Sequence, residues 1–429
     1  MKIVDINSYK PRLIDNTINE YLDTAKALCI EGPKWCGKTW TSSYHANSEF
    51  LVGDPDRNFQ NRHLAEMEPS AVLVGENPRL IDEWQEVPAL WDAVRMTADK
   101  SNKKGQFILT GSSTPTNKGI MHSGTGRIAR IRMHTMSLYE SGDSTGDISL
   151  QSICSGEFKG MILTGQKKLH DLSCMICRGG WPDNLNTKER NISIMPNSYL
   201  ETVINDDIQR LDENVRYDIP KLRLLLRSLA RNESTTASVL SLSKDISQQD
   251  GEILSNETIA RYLNSFLRLF LIENQKPFSP NIRSSIRIKQ QEKRHFCDPA
   301  LACAALKLTP AKLENDLESF GFMFEALVER DLRIYAQSFG AQLYHYQDYK
   351  NNEIDAVIET DDGEWCAFEI KLGANQIDKA ADNLIKIKNT LIQNSGKGPR
   401  SMCVICGLSN AAYQRDDSVY VVPITALKP

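Results

Sequence analysis

The stretch Gly32-Pro33-Lys34-Trp35-Cys36-Gly37-Lys38-Thr39 satisfies the pattern G-x-x-x-x-G-K-[ST] at every fixed position. No other feature of the chain restricts its fold as tightly, because such a loop works only between a buried strand and a helix. Apolar Ala27-Leu28-Cys29-Ile30 precedes it, and Trp40-Thr41-Ser42-Ser43-Tyr44 can continue it as a helix. Glycines let successive backbone N–H groups turn inward onto phosphate oxygens, and the positive end of the helix dipole adds to the attraction. The expected cradle is Gly32, Pro33, Lys34, Trp35, Cys36, Gly37, Lys38, Thr39 and Trp40 around ATP. Lys38 should reach the β and γ phosphates, and the Thr39 hydroxyl should hold Mg²⁺.

Hydrolysis needs carboxylates facing that cradle. Leu80-Ile81-Asp82-Glu83 is an apolar run ending in adjacent acids. This is the form of a strand that delivers Asp82 to Mg²⁺ through water and Glu83 to the attacking water. An acidic turn before a helix over residues 87–98 is the ordinary alternative; the phosphate loop upstream and another strand downstream favour the functional reading. That strand, Gln106-Phe107-Ile108-Leu109-Thr110-Gly111-Ser112-Ser113, places Thr110 or Ser112 to contact the γ-phosphate or align the water. Arginines then alternate with Ile and Ala in Arg127-Ile128-Ala129-Arg130-Ile131-Arg132, a strand with one basic face. Arg127 and Arg130 are candidates for an arginine finger entering a neighbour's site. A solvated strand face explains them equally well, and Arg132 is not separable from them.

At 429 residues the chain has room for about three domains, so this module explains only part of it. No apolar run approaches the roughly 20 residues that cross a bilayer. Met1-Lys2-Ile3-Val4-Asp5 does not open a secretory signal, so the expectation is a cytoplasmic protein without a membrane partner. Net charge is −4, which confines any nucleic-acid surface to a local patch. The 10 cysteines lack short regular spacing, as expected for reduced thiols. Cys174-x-x-Cys177 and Cys403-x-x-Cys406 could together make a four-thiolate zinc site. Their helix-like and strand-like surroundings favour core cysteines instead.

Upstream of the loop a helix is expected over 14–25, with Arg12 either near the nucleotide or in solvent. Downstream, Gly142-Asp143-Ser144-Thr145-Gly146-Asp147 reads as a polar surface insertion. Helical patterns follow over 163–178, 198–211, 222–230 and 258–271. A helical domain of winged-helix type fits them, with Ile282-Arg283-Ser284-Ser285-Ile286-Arg287-Ile288-Lys289 as a wing strand against phosphates or a solvated sheet face.

Near the end, Glu353-Ile354-Asp355-Ala356-Val357-Ile358-Glu359 and Trp365-Cys366-Ala367-Phe368-Glu369-Ile370-Lys371 are strand-like runs separated by a turn containing Asp361-Asp362-Gly363. Glu369 and Lys371, two apart, share a face. A three-residue loop with Gly363 left-handed sets Asp355 opposite Glu369, whereas a two-residue Asp-Gly loop turns Asp355 away. In the first register, Asp355 and Glu369 can hold Mg²⁺ against a scissile phosphate while Lys371 orients water. A helix over 320–336 offers Glu325 as another metal ligand, and Gln376 as a supporting group follows Lys371. The spacing resembles the PD-(D/E)XK nucleases, although Ile354 stands where that pattern has proline.

The succession IEGPKWCGKT, RLIDEWQEVPALWDAVR, FILTGSS, SGTGRIARIRMHTMSLYE, GGWP, YLETVINDDI and KRHFCDPALA resembles the predicted bacterial and archaeal AAA+ superfamily ATPases. In these an AAA+ module precedes a poorly characterised region with winged-helix and PD-(D/E)XK-like parts. The resemblance implies an α/β fold. A P-loop NTPase parallel sheet would occupy residues 1–190, a helical winged-helix domain 191–308, and an α/β nuclease-like domain 309–429. It further implies Lys38 as the Walker A lysine, Asp82 and Glu83 as Walker B acids, Thr110 or Ser112 as a sensor, and assembly into homo-oligomers. The expected function is ATP hydrolysis coupled to binding, and potentially cleavage, of DNA or another nucleic acid. A non-cutting DNA scaffold and a remodeller of protein partners are the competing readings.

Overall fold

The computed structural model describes residues 5, 8–114, 124–165, 167–211, 215–279, 291–395 and 397–429. Backbone packing divides the chain into two units that are not contiguous in sequence. The first comprises Met1–Thr135, Asp206–Arg216 and Asn264–Leu271, and the second Met136–Asn205, Tyr217–Leu263 and Ile272–Pro429.

In the first unit five short apolar runs form strands β1 (Ala27–Glu31), β2 (Ser48–Leu51), β3 (Arg79–Asp82), β4 (Phe107–Gly111) and β5 (Ile128–Arg132). They pair in parallel in the order β2-β3-β4-β1-β5. Parallel neighbours need crossovers; from β1 to β4 the connections run through helices, and helical residues pack on both faces of the sheet. Alternate residues therefore enter separate cores. Cys29, Ile81 and Leu109 pack with Trp84 and Trp91 on one side, while Ile30, Leu80 and Ile108 pack with Ile18 on the other. Strand order reverses beside β1, so the loop leaving its carboxyl end opens into the crevice where such sheets take ligands. The helix expected over 14–25 spans Ile14–Thr24.

The second unit is built on a seven-stranded mixed sheet. In chain order its unit contains β6 (Ile148–Ser149), β7 (Met161–Leu163), β8 (Ile272–Gln275), β9 (Lys293–Phe296), β10 (Gln342–Gln347), β11 (Glu353–Glu359), β12 (Trp365–Lys371), β13 (Ser401–Cys406), β14 (Ala411–Gln414), β15 (Val419–Pro423) and β16 (Leu427–Lys428). The large sheet runs β10-β11-β12-β13-β15-β14-β7. Trp365, Ala367, Val404 and Val421 on one face pack under Ala381, Leu384 and Ile387 of the helix Ile377–Ser395.

Residues expected as a surface insertion and a helix start are instead tied into this unit. The β6 strand pairs with β16, and β7 pairs with β14 as an edge strand. The Thr145 N–H donates to the Thr425 carbonyl at 2.8 Å, and Ser144 Oγ donates to the Leu427 carbonyl at 2.6 Å. The helix expected from residue 163 accordingly begins at Leu169.

Helices Ile219–Arg231, Val239–Asp250 and Asn256–Arg268 follow, and β8 and β9 pair antiparallel after them. The first starts where the Asp218 side chain accepts from the Lys221 N–H and Pro220 occupies the first turn, a favourable N-terminus. The expected wing strand at 282–289 lies outside the described residues. Among the described residues, no helix is long and apolar enough to cross a membrane.

Candidate functional sites

The loop after β1 is shaped by two glycines. A Cβ on Gly32 would lie 2.1 Å from the Met133 carbonyl oxygen, so that position admits no side chain. Gly37, at φ 104°, is left-handed and starts the helix Lys38–His45. That helix presents its unpaired amide donors and positive dipole end to the loop. Lys38 is buried, and its Nζ donates to the Pro33 carbonyl at 2.7 Å. A buried ammonium held by a neutral oxygen is poorly compensated, which suits an anionic ligand.

Behind the loop, the buried Arg12 donates from Nη1 to the Cys36 carbonyl at 2.8 Å and from Nη2 to the His134 carbonyl at 3.0 Å. Arg12 is thus a strut beneath the cradle rather than a solvated side chain. Lys34 Nζ pairs with Asp207 Oδ1 at 2.6 Å. Trp35 and Trp40 are exposed, and Cys36 is buried.

Across the crevice, β3 ends on Asp82. Its Oδ1 accepts from Thr39 Oγ1 at 2.8 Å and from Thr110 Oγ1 at 2.6 Å. Burial, opposed by the Thr110 hydrogen bond, pushes the Asp82 carboxyl up. This hydroxyl and carboxylate pair is a set of hard oxygen donors and fits Mg²⁺. Glu83 adopts a left-handed backbone at φ 55°. Its N–H donates to Thr110 Oγ1 at 3.0 Å, and its Oε2 accepts from Ser112 Oγ at 2.8 Å and from Gln85. Thr110 and Ser112, alternatives in the sequence, therefore both serve the acids: one positions Asp82 and the Glu83 backbone, the other the Glu83 carboxylate.

In the second unit, β11 and β12 pair Ala356 with Phe368 and Glu359 with Trp365. Thr360 N–H donates to the Glu364 carbonyl at 2.9 Å, and Gly363 is left-handed at φ 76°. Continued by one residue, this register faces Asp355 with Glu369. Lys371 Nζ lies 2.8 Å from Asp355 Oδ2 and 2.7 Å from Glu369 Oε2. The Ile370 N–H also donates to Asp355 Oδ2, at 2.7 Å, and Asn383 Nδ2 donates to Glu369 Oε1 at 2.8 Å. Burial, then the charge of Asp355, pushes the Glu369 carboxyl up to about 7. Burial opposes the Lys371 charge, but the two carboxylates outweigh it and raise the ammonium above its ordinary range. Two converging carboxylates on a lysine are enough for Mg²⁺, which commonly takes one or two plus phosphate and water.

Glu325 does not join them as expected. Its Oε1 is 2.8 Å from Nζ of Lys293, a fully buried lysine on β9. The same ammonium lies 3.3 Å from Glu329 Oε1 and 3.5 Å from Glu353 Oε1, and it donates to the Asp355 carbonyl at 3.3 Å. Burial opposes the Lys293 charge, yet these acids hold it well above the ordinary lysine range. His295, two residues on, sets Nε2 2.8 Å from Glu329 Oε2 and Nδ1 3.2 Å from Glu233. Among the described residues, the ligand atoms of Asp355, Glu369 and Glu325 do not cluster as a metal-binding trio. A cleft of about 580 Å³ opens beside them, with Glu325, Lys371, Gln376 and Phe322 on its wall. Lys293, His295 and Glu329 escaped the sequence reading. Their trace was Glu325 and Glu329 at helical spacing inside an apolar helix, a pattern that demands buried cations.

Comparison with known families decides the first unit. Residues 24–141 match the family described as an AAA domain. This segment is an AAA domain of the P-loop ATPase class. Residues 169–312 and 320–427 match two families described as domains of unknown function, DUF8612 and DUF4143. Two uncharacterised mycobacterial proteins, Mb2031c of Mycobacterium bovis and Rv2008c of Mycobacterium tuberculosis, are each 22% identical over 354 residues, covering 82% of this chain and 71% of theirs. Among solved structures, the Walker-type ATPase PABY2304 of Pyrococcus abyssi is 10% identical with a TM-score of 0.42, covering 70% of this chain and all of that one. The Aeropyrum pernix ORC1 protein, solved in complex with DNA, is 10% identical with a TM-score of 0.26, covering 68% and 91%. Neither score supports an argument beyond the family match.

On the AAA domain, the finger candidates have partners within their own unit. Arg127 pairs with Asp99, and Arg130 pairs with Glu31 while lying 4.2 Å from the Trp91 ring centroid. Arg132 lies 4.3 Å from the Phe270 ring centroid. A finger role for Arg127 requires exchange of its exposed pair with Asp99, and one for Arg130 requires release of both Glu31 and the Trp91 ring.

Proposed function

We propose that the chain is an ATP-hydrolysing AAA protein that uses nucleotide turnover to control metal-dependent phosphodiester chemistry on nucleic acid at its C-terminal α/β part. In the AAA domain, Lys38 and the loop amides bind the triphosphate, Thr39 and Asp82 hold Mg²⁺, and Glu83 draws a proton from the attacking water. Arg127 or Arg130 offsets charge on the γ-phosphate of a neighbouring copy in a homo-oligomer.

The observation that carries the second half is the convergence of the buried Asp355 and Glu369 on Lys371, which lines a cleft. Asp355 and Glu369 would hold a divalent ion, which supplies Lewis-acid stabilisation of the phosphate. Lys371 orients the nucleophile, and Asn383 fixes the Glu369 carboxylate.

Incubation of labelled single-stranded, duplex and junction DNA with ATP and Mg²⁺ or Mn²⁺ tests this. Cleavage lost in Glu369→Ala and in Lys371→Ala, with ATP turnover retained, supports it. Cleavage unchanged in both variants sinks it. One observation favours a second reading, a nucleotide-controlled scaffold that binds without cutting: Glu325 is already engaged by the buried Lys293 at 2.8 Å. Nucleic-acid binding without metal-dependent cleavage would select that reading.

A further inference from the structure

A second group of ligand-type side chains shares no residue with either site. His170 and Cys174 are four apart on the helix Leu169–Arg178, so they share one face. Glu189 comes from the short helix Glu189–Asn191. His170 Nε2 lies 3.6 Å from Cys174 Sγ and 3.1 Å from Glu189 Oε1. One ligand atom from each residue falls within 4.8 Å of the other two. With Zn–N of about 2.05 Å, Zn–S of about 2.3 Å and Zn–O of about 2.0 Å, tetrahedral angles separate N from S by about 3.6 Å and N from O by about 3.3 Å. The two spacings from Nε2, 3.6 Å to Cys174 Sγ and 3.1 Å to Glu189 Oε1, are close to two edges of such a tetrahedron.

The other imidazole nitrogen supplies an independent observation. His170 Nδ1 lies 2.8 Å from Glu314 Oε1, and that carboxylate also accepts from Ser173 Oγ at 2.7 Å. A carboxylate on Nδ1 keeps a proton there, so a cation that displaces the proton from Nε2 meets that nitrogen's lone pair beside Cys174 and Glu189. Histidines that ligate metals are held in this way.

We propose that His170 Nε2, Cys174 Sγ and the Glu189 carboxylate bind one Zn²⁺, with Glu314 as the positioning residue and water in the fourth place. Imidazole and thiolate select a borderline-soft ion over Mg²⁺ or Ca²⁺. The ion clamps the turn at Glu189 onto the helix Leu169–Arg178. Thiolate and imidazole ligation displaces protons, so zinc binding weakens as pH falls.

The test is titration of the chelator-treated full chain with Co²⁺ in saturating Mg²⁺, followed by absorption spectroscopy. One equivalent should produce a thiolate-to-cobalt charge-transfer band that Zn²⁺ abolishes. Cys174→Ser should lose the band, and Glu189→Gln, at an exposed position, should weaken binding while leaving the circular dichroism spectrum unchanged. Glu314→Gln should weaken it about 10- to 100-fold. Absence of the band from the wild-type chain, or its persistence in Cys174→Ser, overturns the proposal.

Discussion

Replacing Lys293 by methionine tests the electrostatic account of the C-terminal site. The substitution keeps most of the volume but leaves Glu325, Glu329 and Glu353 facing one another without their shared ammonium. Burial raises the Glu325 carboxyl to about 8, so the ionised partner at neutral pH is Glu329, whose 3.3 Å contact at an effective dielectric constant of about 20 corresponds to about 5 kcal/mol of attraction. Relaxation and proton uptake reduce this, and breaking a buried pair by removing one partner costs about 3–5 kcal/mol. The pH dependence follows from the directions of the shifts. Lys293 is raised, so its contribution is present below the ordinary lysine value of about 10.4 and persists through neutrality. Glu329 is lowered despite its burial, because His295 and Lys293 outweigh desolvation; its contribution is present above about pH 4.3 and is lost in acid. In the variant the orphaned acids take up protons instead. Protonating one carboxyl becomes about 2.7 kcal/mol easier between pH 7 and pH 5, at 1.36 kcal/mol per pH unit. The loss of stability should therefore shrink from about 3–5 kcal/mol at pH 7 to about 0.3–2.3 kcal/mol at pH 5. Hydrogen exchange of the helix Leu317–Ser338, measured in the full chain, reports this unit by itself. A loss below about 1 kcal/mol at pH 7, or one that does not change with pH, would refute the assignment of Lys293 as the counter-charge.

In the AAA domain, Lys38→Ala should abolish saturable ATP binding in calorimetry. Glu83→Gln should keep binding and reduce turnover by at least about 10²-fold, and normal hydrolysis by Glu83→Gln would displace Glu83 from its assigned role. At the C-terminal site, Glu369 is raised to about 7 by burial and by Asp355. Metal must displace that proton, so Mn²⁺ affinity should rise as pH passes upward through about 7. Without metal the sign for stability is opposite: a raised carboxyl favours the fold below its unfolded value of about 4.3 and loses that advantage as pH rises through the folded value. Mn²⁺ should therefore protect this unit more at pH 8 than at pH 6 in hydrogen exchange, and equal protection would refute the assignment.

Local chemistry sufficed for the features that lie within a few residues of one another. The phosphate loop, the acids at the end of β3 and the turn at Gly363 were legible because glycine geometry and strand alternation act over short spans. The sequence left two loop lengths open at that turn, and the Thr360–Glu364 closure chose the register that faces Asp355 with Glu369. Tertiary structure alone decided who neutralises whom. Nothing near Lys293 in sequence announces Glu325, and nothing near Lys34 announces Asp207. Likewise β7 reads locally as the start of a helix, yet it completes the sheet edge at β14. A buried charge takes the compensating group that folding brings to it, and an edge strand takes the free backbone donors that folding leaves open. Both are properties of the assembled core, whereas periodicity and turn preference belong to the segment.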